Sequence, residues 1–505
     1  MKNRFSFFLL LVVWVATSLT ALGQISVKEI DAYIAKAVKD YETPGLAIAI
    51  IKDGQIVLNK GYGLRDLGKK DSITANSIFG IASCSKAFTA TAVGMLVDDG
   101  KLSWDDHVID ILPDFQLHDP YVTRELRVID LLCHRAGFNT FDGDLLWYAT
   151  SYNRDEVVQR IRHLPLKNSL RYKFGYSNVM FITAGEVIEA VSGKSWDDFL
   201  KERIFTPLGM ENTNTSVKDF TPQTERAMPH VNGEVFPEVN YDNSGPAASL
   251  NSSVNDLTKW MQFWLNGGKV GDQQLLSESS FRKITSSQTV ENVSGFDQQQ
   301  GIHFKTYGLG WGLFDYNGLK VIEHDGGLPG YISKVAMIPE ANLGVVILTN
   351  GMPILLNEAL RNYIFDSFTQ GKPRIDWAGA LLKYAQDYLK SLDENEEKRL
   401  EAQIPKTKPS LKEKEYAGIY EDKMYGKAEV KFESGKLYLT LLPTKELFTG
   451  RLEHFHYNTF KVVFKDSYLP FGLVTFELNS AGEVSGFTID LPNPDFHFFN
   501  LEFER

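Results

Sequence analysis

Apolar and polar positions along this 505-residue chain fall into three successive regimes. The segment 45–63, GLAIAIIKDGQIVLNKGYG, holds two apolar-rich runs separated by Asp53-Gly54. That pair favours the backbone of a tight hairpin turn, so two antiparallel strands are expected. From about Ser83 to Trp264 the spacing lengthens to that of helices. Two strand-like stretches follow, YGLGWGLFDYNGLKVIEHDGG and YISKVAMIPEANLGVVILTN, and then a helix from about Pro353 to Phe368. Antiparallel strands from both ends would make one sheet, with helices on its faces and a helical lobe opposite. A site would lie in the cleft between the two parts.

Residues 372–411 read as a charged helical connector ending in a Pro- and Lys-containing linker. From Tyr416 onward the period drops to two, and about eight short strands between Gly, Asn, Asp and Ser turns predict a small antiparallel barrel. The fold class expected is therefore α/β, followed by an all-β barrel at 412–505. The first large domain would span 24–371.

The N-terminus modifies this picture. Lys2 and Arg4 precede a mostly apolar run from Phe5 to Leu19, and Ala21-Leu22-Gly23 offers small residues before Gln24. This predicts a signal peptide over 1–23 and an exported, periplasmic protein with no stable membrane span after cleavage; an uncleaved anchor is the alternative. The 53 Lys and Arg against 64 Asp and Glu give −11, and loss of Lys2 and Arg4 gives −13. That balance, without a basic stripe, argues against nucleic acid as a partner. No motif calls for a cofactor. Cys84 and Cys133 are too few for a disulfide framework, although a single bridge between them stays open. In Glu453-His454-Phe455-His456 two His share a strand face, but no third ligand stands at suggestive spacing, so no metal is expected.

The chemistry concentrates in Ser83-Cys84-Ser85-Lys86, within IFGIASCSKAFTATAVGMLVDDGKL. Ser83 and Lys86 lie one helical turn apart on one face. Free N–H groups at a helix start favour negative charge on Ser83, and burial lowers the pKa of Lys86 until its neutral amine can take the Ser proton. The same spacing recurs at Ser280-Phe281-Arg282-Lys283, in a polar setting. Tyr176-Ser177-Asn178 adds a phenol suited to a proton relay and an amide with both donor and acceptor. His324-Asp325-Gly326-Gly327 adds a glycine-bearing strand edge against which a substrate could lie. His134 in LLCHRAGF reads as a structural hydrogen-bonding residue. Asp142, Asp144, Trp147 and Tyr148 read as either a cleft mouth or a surface loop.

In this order and context the motifs resemble the serine β-lactamase-related superfamily, which includes class C β-lactamases, D-Ala-D-Ala carboxypeptidases, D-aminopeptidases and related esterases. Residues 28–370 carry the resemblance, through phrases such as WDDHVIDILPDF, VIDLLCHRAGF and PAASLNSSVNDLTKWMQFWLNGG. It implies the β-lactamase/transpeptidase-like fold and an acyl-enzyme mechanism. By that resemblance Ser83 is the nucleophile, and Lys86 and Tyr176 share acid and base work. Asn178, His324 and Gly326 bind substrate, and the N–H groups of Ser83 and Gly327 form the oxyanion hole. One departure is His324-Asp325-Gly326, where the β-lactamases usually carry Lys-Thr-Gly. A His charge varies near neutral pH, so short D-residue peptides, peptidoglycan fragments or small esters are expected ahead of β-lactams. The C-terminal part resembles the lipocalin-like domain appended to such peptidases. The alternatives are a β-lactamase or penicillin-binding protein, and a non-catalytic binder whose barrel holds a ligand. The substrate would be a small molecule or short peptide; the oligomeric state stays open.

Overall fold

A computed structural model describes residues 25–505, so the expected signal peptide lies outside the described residues. The chain enters through α1 (Val27–Asp40), which opens on a Ser26–Glu29 capping box. It then forms the hairpin β1 (Gly45–Lys52) and β2 (Gln55–Gly63). Asp53 and Gly54 both have positive φ, 51° and 74°, the backbone a two-residue turn needs. The helical lobe is built around α2 (Ser85–Asp98), α3 (Asn178–Ser192) and α4 (Val254–Leu265). α2 is buried almost all round because its sequence is apolar or small on every face.

The chain returns through β3 (Thr289–Val290), β4 (Lys305–Tyr307), β5 (Gly312–Tyr316), β6 (Leu319–Leu328), β7 (Tyr331–Ile338) and β8 (Leu343–Thr349). These join β1 and β2 in one antiparallel sheet of order β2-β1-β8-β7-β6-β5-β4-β3. β1 and β8, second and third in that order, are buried on both faces, as their unbroken apolar runs require. Ala47, Ala49 and Ile51 face the lobe, while Leu46, Ile48 and Ile50 face α1 and the two helices that follow the sheet. Those are α5 (Leu356–Thr369) and α6 (Trp377–Glu401). The connector is thus not free of the sheet domain, since Trp377, Ala378 and Leu381 pack into its core. Among the described residues, no helix is long and apolar enough to cross a membrane.

The C-terminal unit is a closed eight-stranded antiparallel barrel: β9 (Gly418–Asp422), β10 (Gly426–Glu433), β11 (Lys436–Leu441), β12 (Thr449–His456), β13 (Thr459–Phe464), β14 (Gly472–Leu478), β15 (Val484–Asp490) and β16 (Glu502–Glu504). Its interior is filled by rings. Phe476 meets Tyr416, Phe487, Phe460 and Tyr420 at centroid distances of 4.9, 5.4, 5.6 and 6.1 Å. That packing places aromatic side chains inside the barrel.

The barrel sits on the helical lobe. The Tyr148 hydroxyl donates to Asp466 at 2.8 Å, Tyr152 to the carbonyl of Tyr425 at 2.7 Å, and Arg160 to that of Met424 at 3.0 Å. The rings of Tyr148 and Phe496 stand 4.1 Å apart. Buried side chains of the lobe, the facing side of the sheet and the barrel form one continuous apolar core. The segment carrying Asp142, Asp144, Trp147 and Tyr148 is therefore neither a cleft mouth nor a surface loop; all four residues are buried.

Candidate active site

Ser83 sits in a one-turn 3-10 segment, Ala82–Cys84, that leads straight into α2. Ala82 has φ 47°, a left-handed backbone that costs a non-glycine residue energy and persists only where its surroundings hold it. They do so here. Ser85 Oγ donates to the carbonyl of Ala82 at 2.6 Å, Ser333 Oγ to that of Ile81 at 2.7 Å, and the N–H of Ile81 to Leu250 at 2.8 Å. The strained turn projects Ser83, half-buried, from the helix start, where the first N–H groups lack intrahelical partners.

Lys86 is fully buried one turn on. Its Nζ lies 2.9 Å from Ser83 Oγ, 2.6 Å from Asn178 Oδ1 and 3.0 Å from the carbonyl of Ala247. Burial pulls its pKa down to about 7, against the partial opposition of Asp144. The Tyr176 phenol also reaches Ser83; burial holds its pKa well above the usual range, a trend that the Ser83 hydrogen bond opposes. Lys86 Nζ stands 4.8 Å from the centroid of the Tyr176 ring. The structure thus gathers Ser83, Lys86 and Tyr176 around one hydroxyl. Ser280 is elsewhere, with its Oγ on Asp98 at 2.6 Å. Cys84 points away from the cleft, buried against Ser333 and the carbonyl of His324, and burial pushes its thiol up to about 12. Both cysteines are free.

Asn178 has a use within the protein besides the substrate contact expected of it. Its Oδ1 faces Lys86, and its Nδ2 donates to Asp144 Oδ2 at 2.6 Å. One lone pair of its oxygen and one N–H are engaged inside the protein, which positions Lys86; the amide keeps a second N–H and a second lone pair. Burial raises the Asp144 carboxyl to about 7.

His324 departs from expectation. It is 6% exposed. Its Nδ1 lies 2.6 Å from the carbonyl of Asp325, which only an N–H can satisfy. Nε2 is then left to accept from the Tyr307 hydroxyl at 2.7 Å. Burial, with the nearby Lys86 charge, drives its pKa down to about 3. His324 is a neutral, fully engaged imidazole and not a variable cation. The sheet's buried cation, Lys334, contacts Asp325, Glu323 and Glu358 and is neutralised by them.

β6 pairs with β5 only as far as Glu323 opposite Gly312, whereas its pairing with β7 continues to Leu328. Residues 324–328 therefore keep one unpaired edge, on the strand that carries Gly326 and Gly327. Gly326 lies against the nucleophile turn: a Cβ there would stand 2.3 Å from the Ile81 carbonyl oxygen. His134 accepts from the N–H of Ser177 at 2.9 Å and stacks on Tyr176 at 4.1 Å, the structural part expected of it. Among the described residues no group of three potential metal ligands occurs. A register shift falls between His454 and His456, and His454 Nε2 bonds the carbonyl of Tyr457.

Comparison with known proteins places this geometry. The family model described as beta-lactamase matches residues 30–365, and one described as a domain of unknown function, DUF3471, matches residues 402–505. The chain belongs to the beta-lactamase family. It is 30% identical over 341 residues to the unguisins hydrolase ungD' of Aspergillus campestris, covering 64% of this chain and 62% of that protein. It is 27% identical over 453 residues to the unguisins hydrolase ungD of Aspergillus violaceofuscus, covering 82% and 78%. Penicillin-binding protein 4 of Amycolatopsis lactamdurans is 28% identical, covering 62% and 82%. In structure the chain is similar to the octameric penicillin-binding protein homologue from Pyrococcus abyssi. That match has a TM-score of 0.62 and 22% identity, covering 95% of this chain and all of that one, and it carries the fold alone.

Within this beta-lactamase family chain, reading the sequence missed Asp144 as the partner of Asn178 and Tyr307 as the partner of His324. The signal for Asp144 was present: an acid one residue from Leu145-Leu146-Trp147, a stretch otherwise bound for the core. Tyr307, in a short strand, carried none.

Proposed function

We propose that the chain is an exported serine hydrolase that cleaves amide or ester bonds through an acyl-enzyme on Ser83. The observation that carries this reading is the buried Lys86 ammonium, 2.9 Å from Ser83 Oγ with its pKa drawn to about 7. A base with that pKa is half neutral at working pH, where proton transfer is most effective. Tyr176, held protonated, serves as the neutral relay and as donor to the leaving group. The N–H groups of Ser83 and Gly327 stabilise the oxyanion. Attack forms the Ser83 Oγ–acyl bond and breaks the bond to the leaving amine or alcohol, which departs with a proton. Water then releases the acid and restores Ser83.

Short peptides containing D-residues, peptidoglycan fragments and small esters are the proposed substrates. A neutral His324 and a neutralised Lys334 offer no free cation beside the Gly326–Gly327 edge for a substrate carboxylate. This favours peptides and esters whose leaving group is neutral or amidated over β-lactams, which carry a carboxylate on the amine side of the scissile bond. The printed names of the relatives, two unguisins hydrolases and a penicillin-binding protein, support hydrolysis or penicillin interaction as the general class.

The test is a turnover screen of the full chain on D-aminoacyl amides, D-Ala-D-Ala peptides, a chromogenic lactam and p-nitrophenyl esters. Fluorophosphonate labelling of wild type and Ser83→Ala runs alongside. Labelling that survives in Ser83→Ala overturns the mechanism; a lactam cleaved faster than every amide and ester overturns the substrate preference.

A further inference from the structure

Two buried acids on one turn face opposite ways. Asp144 looks inward to Asn178, while Asp142, two residues earlier, looks outward to the barrel. The turn also grips the second motif through its backbone. The N–H of Phe141 donates to the carbonyl of Tyr176 at 2.7 Å, and the N–H of Tyr176 to Thr140 Oγ1 at 3.2 Å. Residues 139–144 therefore touch both Tyr176 and the amide that holds Lys86.

From the barrel, His497 Nδ1 and Asn500 Nδ2 reach Asp142 Oδ1 at 3.0 and 3.2 Å. They flank Phe498, which is fully buried with its ring against Phe448 and Phe464, so the two donors are anchored in the barrel's own core. Asp142 is 1% exposed, and its other oxygen accepts from the N–H of Asn139. A carboxylate so buried depends on its donors; without them the turn must open to hydrate it, and Asp144 moves with the turn.

We propose that the C-terminal barrel is a positioning part of the active site: His497 and Asn500 hold the 139–144 turn so that Asp144 and Asn178 keep Lys86 against Ser83. This rests on the reading of Ser83 and Lys86 above. His497 and Asn500 touch no reacting atom. They act through a turn whose displacement by even about 1 Å at the base would be felt in the chemical step.

The experiment uses the full chain and three variants: the His497→Ala/Asn500→Ala double variant, His497→Asn, and Arg160→Ala. The last loosens barrel docking at the Met424 carbonyl without touching Asp142. Readouts are kcat and KM on a neutral p-nitrophenyl ester, the rate of fluorophosphonate labelling, and thermal melting. In the double variant kcat and labelling should both fall on the order of tenfold or more, with KM within about threefold. His497→Asn, which keeps a donor at the position of Nδ1, should retain most activity, and Arg160→Ala should keep wild-type kcat. An unchanged kcat in the double variant overturns the proposal. So does an equal loss in Arg160→Ala, which would reduce the effect to docking in general. If the double variant fails to fold, His497→Ala alone makes the same comparison. A wild-type protein that the probe never labels at Ser83 overturns the mechanism first; one labelled at Ser83 but indifferent to the double variant overturns only the part assigned to the barrel.

Discussion

The amide of Asn178 bridges Lys86 and Asp144, 2.6 Å from each. It couples a base and an acid whose pKa values burial has brought together near 7 from opposite directions. The two groups titrate as a coupled pair, in two macroscopic steps whose apparent pKa values belong to the pair and not to either residue.

Activity should therefore rise with pH through about 7, as Lys86 loses its proton. Asp144 favours the charged amine. Asp144→Asn should then move the acid limb of the kcat/KM profile to lower pH. A limb that stays in place, or moves up, would show that Asp144 is electrostatically silent. Initial rates on a neutral ester between pH 5 and 9 decide it.

Ser83→Ala should abolish turnover, while Cys84→Ala and Ser280→Ala keep most of it, since the Cys84 thiol is packed in protein and Ser280 bonds Asp98. Lys86→Ala and Tyr176→Phe should each lower kcat on the order of 10²-fold, and their losses should not multiply in the double variant. Steady-state kinetics on one ester and one amide check this.

His324→Gln should keep activity within about tenfold and leave the acid limb unmoved, because a neutral side chain replaces a neutral one. The pKa of His324 is already depressed to about 3, so its charging cannot contribute between pH 5 and 8. A limb that shifts in His324→Gln would mean that the imidazole titrates in the working range after all. Tyr307→Phe, which strips the donor from Nε2, tests the same contact by NMR of the ring nitrogens.

The two glycines of the third motif should behave differently. A Cβ on Gly326 would stand 2.3 Å from both the Ile81 oxygen and Ser333 Oγ, whereas one on Gly327 meets only Ile332 Cδ1 at 3.6 Å. Gly326→Ala should cost about 1–3 kcal/mol and most of the activity, because the strained Ala82 turn must yield. Gly327→Ala should cost little of either, since it keeps its N–H. Chemical denaturation and labelling rate measured together separate the two effects.

Much of this fold is legible in the sequence where one periodicity holds over many residues. The Asp53-Gly54 hairpin, the enclosed helix after Ser83 and the alternating barrel strands each announce themselves locally. The meeting of Ser83, Lys86 and Tyr176 is legible because motif order carries it. Asn178 turning to Asp144 is not, since donors and acceptors are apportioned only once four segments are packed. The state of His324 is hidden for the same reason: an imidazole's charge depends on burial and on Tyr307, neither of which is written near it. The seat of the barrel on residues 139–160 is a contact across more than 260 positions, and no local pattern encodes it.

The shared core of lobe and barrel has a consequence for how the molecule comes apart. Domains of one chain usually meet through modest, fairly polar faces and can melt separately. Here Tyr148, Phe448 and Phe496 belong to one uninterrupted apolar mass. Detaching the barrel would bare that mass to water, so heat should undo lobe and barrel as a single cooperative unit, with one calorimetric transition where a modular protein would show two.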